Sequence, residues 1–160
     1  SVRGFFMLRK IKQTNKDLLP VIQNYGCLFL CFAHASPLIF EGKQGCLALN
    51  KIWQEAEKKG YVSKDLNADG DYDDEGEAEV KNHNALANEF FALNVRYDNI
   101  HHKADEKIPS SVLIVFGKYK YVGCHFVQLD KNKKVIFDSF DKSITVQKGK
   151  LDTMRWYFAN

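Results

Sequence analysis

Apolar residues follow two different rhythms along the chain. From Cys27 they recur at Leu28, Cys31, Phe32 and Ala35, the spacing of a helix with one buried stripe, and Ser36-Pro37 ends the pattern. A second stripe through Leu49, Ile52, Trp53 and Ala56 predicts an amphipathic helix that Gly60 is placed to cap. A third runs from Asn84 to Leu93 through Leu86 and Phe90. The lead-in ending at Gly26 contains Pro20 and reads as turn-rich. Beyond residue 111 the period changes. Val112-Leu113-Ile114-Val115-Phe116 is an unbroken apolar run that suits a strand buried on both faces, and Tyr121 to Leu129, Val135 to Phe140 and Thr153 to Phe158 follow between turn residues. Helices first and an antiparallel meander afterwards predict one α+β domain over residues 1–160, its helices packed on one face of the sheet.

Composition narrows the class. A chain of 160 residues, 45% hydrophobic and 27% charged with three prolines, has enough apolar surface for one ordinary core and is no disordered or linker-rich segment. No apolar run approaches a membrane span, and Ser1 to Met7 is too short for the apolar region of a signal peptide, so no membrane association is expected and a cytoplasmic location is favoured, with export after removal of a targeting segment as the alternative. Oligomeric state leaves no trace in the sequence.

The net charge of +3 hides an asymmetry. Residues 65–79 carry eight acids and neither Lys nor Arg, which leaves 23 bases against 12 acids elsewhere. A cation on the acidic run would leave a basic body suited to an anionic partner such as a cell-wall polymer, whereas bases scattered along the chain fit a solvated surface better than a nucleic-acid site. Within the run, Asp65, Asn67, Asp69, Asp71 and Asp73 match the opening of a calcium loop, D-x-N-x-D-G-x-x-D, with oxygen ligands alternating around Gly70. The twelfth position holds Gly76 where such loops place a bidentate Glu, with Glu75 and Glu77 on either side. The competing reading is a solvated acidic insertion. Calcium here would order a loop and take no part in catalysis.

Four cysteines, Cys27, Cys31, Cys46 and Cys124, are read as free thiols, since a chain of this size needs no staple and Cys27-x3-Cys31 lacks the downstream pair of a zinc site. Cys27 stands apart. A thiol in the first turn of a helix meets unpaired backbone N–H groups and the positive end of the helix dipole, which favour a thiolate. Gly26 before it would allow close backbone approach to a substrate, and Gln23 could supply an amide N–H to a developing oxyanion. A thiolate needs a base, and the base an orienting acceptor. His125 and Asp138 qualify. With a two-residue loop at Lys131-Asn132, His125 lies opposite Asp138, where Cβ atoms are about 4.5–5.5 Å apart. Cys31, Cys46 and Cys124 are assigned to structure.

The segments Gln23-Asn24-Tyr25-Gly26-Cys27-Leu28, Gly123-Cys124-His125-Phe126-Val127 and Phe137-Asp138-Ser139 together resemble a papain-like cysteine peptidase. They are similar to the small bacterial branch that includes the double-glycine leader peptidases, and to an uncharacterised bacterial and phage-associated family grouped with it. The resemblance implies a papain-like fold, with Cys27 as nucleophile, His125 as general base and acid, Asp138 as orienting group and Gln23 as oxyanion donor. It implies cleavage of a peptide or amide bond through an acyl-enzyme, with a peptide or cell-wall peptide as substrate and no catalytic cofactor. Gln23 lies closer to the cysteine than the family pattern places it, and Ser139 stands where the leader peptidases carry proline. The alternatives are an acyltransferase or amidase on the same site, and a noncatalytic binding module ordered by calcium.

Overall fold

The computed structural model describes residues 11–70, 72 and 79–160. Five helices and six strands alternate unevenly along these residues: α1 (Pro20–Tyr25), α2 (Cys27–Ala35), α3 (Gly42–Lys58), α4 (His83–Ala85), β1 (Val95–Tyr97), β2 (His102–Lys103), β3 (Val112–Lys120), β4 (Cys124–Leu129), β5 (Val135–Phe137), α5 (Ile144–Lys148) and β6 (Lys150–Ala159). The strands form an open antiparallel sheet in the order β1-β6-β3-β4-β5, with β2 also pairing to β6. The α+β expectation holds at this level. The plain meander does not, because β6 returns past β5 and β4 to pair with β3.

Strand alternation divides the apolar side chains between two faces. Phe116 and Tyr157 point to the face covered by α2, α3 and α4, where they join Phe29, Phe32, Trp53 and Phe91. Phe32 is the centre of this layer, edge-on to Phe116 at 5.1 Å and to Tyr157 at 5.5 Å between ring centroids. Full burial of such a ring contributes about 2–3 kcal/mol. Val115, Val127, Leu129, Met154 and Trp156 form a smaller cluster on the opposite face, against which Val146 of α5 packs. One short helix therefore lies across the sheet from the others, a correction to the single helical face expected.

Three further expectations are revised. Pro20 opens α1 instead of breaking it, since the first position of a helix needs no N–H, and the lead-in is helical. The stretch predicted as a third helix is a single α-turn that widens into a π-helical turn over Leu86–Phe90, and Ala92 and Asn94 then take positive φ. In β3 the run at Val112 is not sealed on both sides: Leu113 is 58% exposed where the ladder with β6 shifts register. The helix stop at Ser36-Pro37 falls where predicted, with Ser36 extended and its hydroxyl donating to the Phe91 carbonyl.

Candidate active site

Cys27 is placed by a helix-to-helix turn. The Gly26 N–H donates to the Ile22 carbonyl at 2.9 Å and ends α1, and α2 starts at the next residue. A Cβ at Gly26 would stand 2.6 Å from the Ile22 oxygen and 2.8 Å from its Cα. Glycine is needed because Ile22 fills that space, a reason of internal packing that holds whether or not a substrate approaches. The sulfur, half-buried at the first residue of α2, faces the start of β4, where the Phe126 N–H donates to Cys27 Sγ at 3.4 Å. That contact lies beyond the last β4–β5 pair, Gln128 with Phe137. Further along α2, His34 stacks on Phe137 at 4.3 Å and its Nδ1 pairs with Gln128 Oε1 at 2.6 Å, which fixes the helix against β4 and β5.

The β4–β5 connection is longer than a two-residue loop. The Asp130 N–H donates to the Lys134 carbonyl, Lys133 takes φ +66°, and the ladder shifts register between Gln128 and Leu129. His125 and Asp138 are therefore not directly opposed. Continued past its end, the Gln128–Phe137 register sets Asp138 beside Val127, and the imidazole reaches it on the diagonal. The two groups still meet, with His125 Nε2 2.7 Å from Asp138 Oδ1 and both side chains almost fully buried.

Asp138 is held by a tight turn and a helix start. Its Oδ1 also accepts the Phe140 N–H and its Oδ2 the Ser143 N–H, both at 2.9 Å, while Ser143 in turn caps α5 through the Val146 N–H. Burial alone would raise this carboxyl, but hydrogen bonds from His125 and Ser143 hold it well below the usual carboxylate range. His125 responds in the opposite sense. Burial pulls its pKa down, yet the Asp138 hydrogen bond and then the Cys27 thiol outweigh that and push it up to about 9. With Nε2 committed to Asp138, Nδ1 is the ring nitrogen left for the thiol. Phe140 covers the imidazole, with ring centroids 5.0 Å apart.

The other cysteines are in different surroundings. Cys31 and Cys46 are fully buried, and burial pushes both thiols up. Cys124 is exposed. Gln23 already uses one amide N–H, with Nε2 donating to the Leu18 carbonyl at 2.7 Å. In the acidic segment, Asp65 Oδ2 accepts the Gly70 N–H at 2.6 Å and Asn67 Oδ1 the Asp69 N–H at 3.4 Å, so the loop opening is folded on itself. Asp71 and Asp73 lie outside the described residues. Among the described residues no three His, Cys, Asp or Glu side chains are grouped to hold a metal ion, and no helix is long and apolar enough to cross a membrane.

The model of one protein family, DUF261, described as proteins of unknown function, matches residues 7–159. The chain belongs to the DUF261 family. No curated protein and no solved structure matches it.

Several groups that shape this DUF261 site escaped the sequence reading. Ser143 follows a turn and precedes Val146 by three, an N-cap spacing that was there to be seen. Gln13 carried no such signal. It is 1% exposed; its N–H donates to the Ser139 carbonyl, its Oε1 accepts from the Ser139 hydroxyl at 2.7 Å, and its Nε2 donates to the Gln23 carbonyl at 3.0 Å. One side chain thus ties the loop carrying Asp138 to the helix that leads into Cys27, and Ser139 is the residue through which it does so.

Proposed function

We propose that this DUF261 protein is a thiol hydrolase of the papain-like type, which cleaves a peptide or amide bond through an acyl-enzyme on Cys27. The observation that carries the reading is the buried His125–Asp138 pair at 2.7 Å next to Cys27, whose sulfur takes the N–H of the residue after His125 and raises the imidazole, at the first residue of a helix. Each role follows from placement. Asp138, ionised and held by three donors, fixes the ring with Nε2–H toward itself. His125 is the imidazolium at neutral pH, the countercharge that a thiolate needs beside it. The thiolate attacks the carbonyl carbon, whose π electrons move onto oxygen, and first-turn N–H groups of α2 stabilise that oxygen, with the second amide N–H of Gln23 as a further donor. Collapse breaks the C–N bond as Nδ1 of His125 gives its proton to the leaving amine, leaving a thioester. His125 then takes a proton from water, and the hydroxide releases the acid.

The test is alkylation together with turnover. Iodoacetamide should modify Cys27 faster than the more exposed Cys124, while Cys31 and Cys46 stay unmodified. Cys27→Ala should unfold at the wild-type denaturant concentration and hydrolyse no member of a peptide and amide panel that the wild type cleaves. Hydrolysis that persists in Cys27→Ala would end the proposal. A product trapped by added amine would move the assignment from hydrolysis to acyl transfer on the same sulfur.

A further inference from the structure

Arg155 is a buried charge that the chemistry above does not use. It is 5% exposed, in the middle of β6, on the sheet face that α2 covers. Its hydrogen bonds to described residues go to neutral acceptors, from Nη1 to Thr153 Oγ1 at 2.8 Å and to the Met154 carbonyl at 3.4 Å. Among the described residues no carboxylate lies within ion-pair distance of it. Nε and Nη2 donate to no described group, and neither is among the buried polar atoms cut off from solvent. The guanidinium is thus enclosed except at an unpaired donor edge.

Enclosing a guanidinium without a counter-charge is unfavourable, and an anion brought to its free donors would offset that cost. The surroundings add positive charge. Lys118 pairs with Phe126 one row along the sheet, and the repulsion of Arg155 is felt at His83 and, jointly with that of Lys118, at His101. Exposed Asp152 acts on Arg155 only at a distance.

The location gives this charge a purpose. The guanidinium carbon stands 5.3 Å from the centroid of the Phe126 ring, and the backbone N–H of the same Phe126 holds the sulfur of Cys27. A single residue therefore lies between the guanidinium and the sulfur. We propose that Arg155 is a specificity-determining residue that receives a carboxylate of the substrate beside Cys27, through the two parallel N–H···O bonds that a guanidinium fork offers. The inference rests on the thiol-hydrolase reading and narrows its substrates to peptides with a carboxylate near the scissile bond, from an acidic side chain or from a chain end.

Protection of Cys27 from iodoacetamide, followed by mass spectrometry, tests this without requiring turnover. Two pairs of blocked alanine peptides serve as probes: one pair with a central Glu or Gln and amidated ends, the other uncharged along its length with a free or amidated C-terminus. In the wild type, the acidic member of at least one pair should slow alkylation about tenfold more than its neutral twin, the effect of one charge-assisted pair. A response in the first pair identifies a side chain as the source of the carboxylate, and one in the second a chain end. Arg155→Met should erase the difference, Arg155→Lys should retain part of it, and Cys124 should be unaffected throughout. Equal protection by acidic and neutral twins in the wild type overturns the proposal even if Arg155→Met fails to fold, as does an acid preference that survives Arg155→Met. Wild-type Cys27 that never alkylates would remove the hydrolase reading as well, and is distinguishable from a Cys27 that alkylates without regard to charge.

Discussion

Asp138→Asn keeps the size of the side chain and removes its charge, and the consequence should appear in how stability depends on pH. In the folded protein His125 is raised from 6.5 to about 9. A base raised on folding binds more protons in the native than in the unfolded state between those values. Its stabilisation is therefore complete below pH 6.5 and is lost as pH climbs through 9. At about 1.4 kcal/mol per tenfold change in proton affinity, that contribution amounts to about 3 kcal/mol. Burial by itself pulls His125 down and only the Cys27 thiol remains to raise it, so without the carboxylate the imidazole falls back and most of the contribution goes. Asp138 stays ionised throughout this range and adds no slope of its own. Urea unfolding of both chains, followed by circular dichroism at pH 6.5 and at about pH 10, gives the measurement. The stability advantage of the wild type over Asp138→Asn should shrink between the two conditions by an amount approaching, and not exceeding, about 3 kcal/mol. Taking the difference between chains cancels groups common to both, and an advantage that stays constant with pH would refute the coupling.

Other consequences can be tested in the same way. Gly26→Ala forces a Cβ against the Ile22 backbone and should cost about 1–3 kcal/mol in urea while slowing alkylation of Cys27; an unchanged midpoint and labelling rate would contradict the packing argument. Ser139→Ala leaves the buried Oε1 of Gln13 without its donor and should destabilise by about 1–3 kcal/mol, with Ser139→Thr recovering part of it. His83, lowered to about 4 by burial and then by Arg155, contributes stability above pH 6.5 that is lost as pH falls through 4. His83→Gln should therefore show a shallower acid limb than the wild type in the same urea titrations. A calcium-ordered 65–79 loop predicts a melting temperature that rises with added calcium in the wild type and not in Asp65→Asn, whereas identical melts in calcium and chelator would retire that proposal.

What could be read from the sequence was whatever repeats or caps. The 3.6-residue stripe of α2 placed Cys27 on its helix start, and alternation in β4 put His125 opposite in sense to Cys124, which is exposed where His125 is buried. Long-range choices were not encoded locally. Nothing in Lys150 to Ala159 says that β6 will pair with β3 and not with β5, because that depends on which sheet edge buries Met154 and Tyr157. The two-residue loop that would set Asp138 opposite His125 does not form; the loop runs longer, and a ladder shift and a diagonal reach bring the groups together instead. Gln13 and Arg155 were invisible for the same reason: a lone polar residue in a sequence shows neither what it will be buried against nor what will be withheld from it.

Phe126 meets the sulfur with its peptide group and the guanidinium with its ring. A peptide group is the same whatever side chain it bears, so substitution at this position can change what lies against the guanidinium while the N–H that meets the Cys27 sulfur stays in place. If the proposed thiol hydrolysis and carboxylate recognition hold, selectivity and reactivity are uncoupled at one locus, and position 126 is the natural starting point for redirecting the protein by mutagenesis.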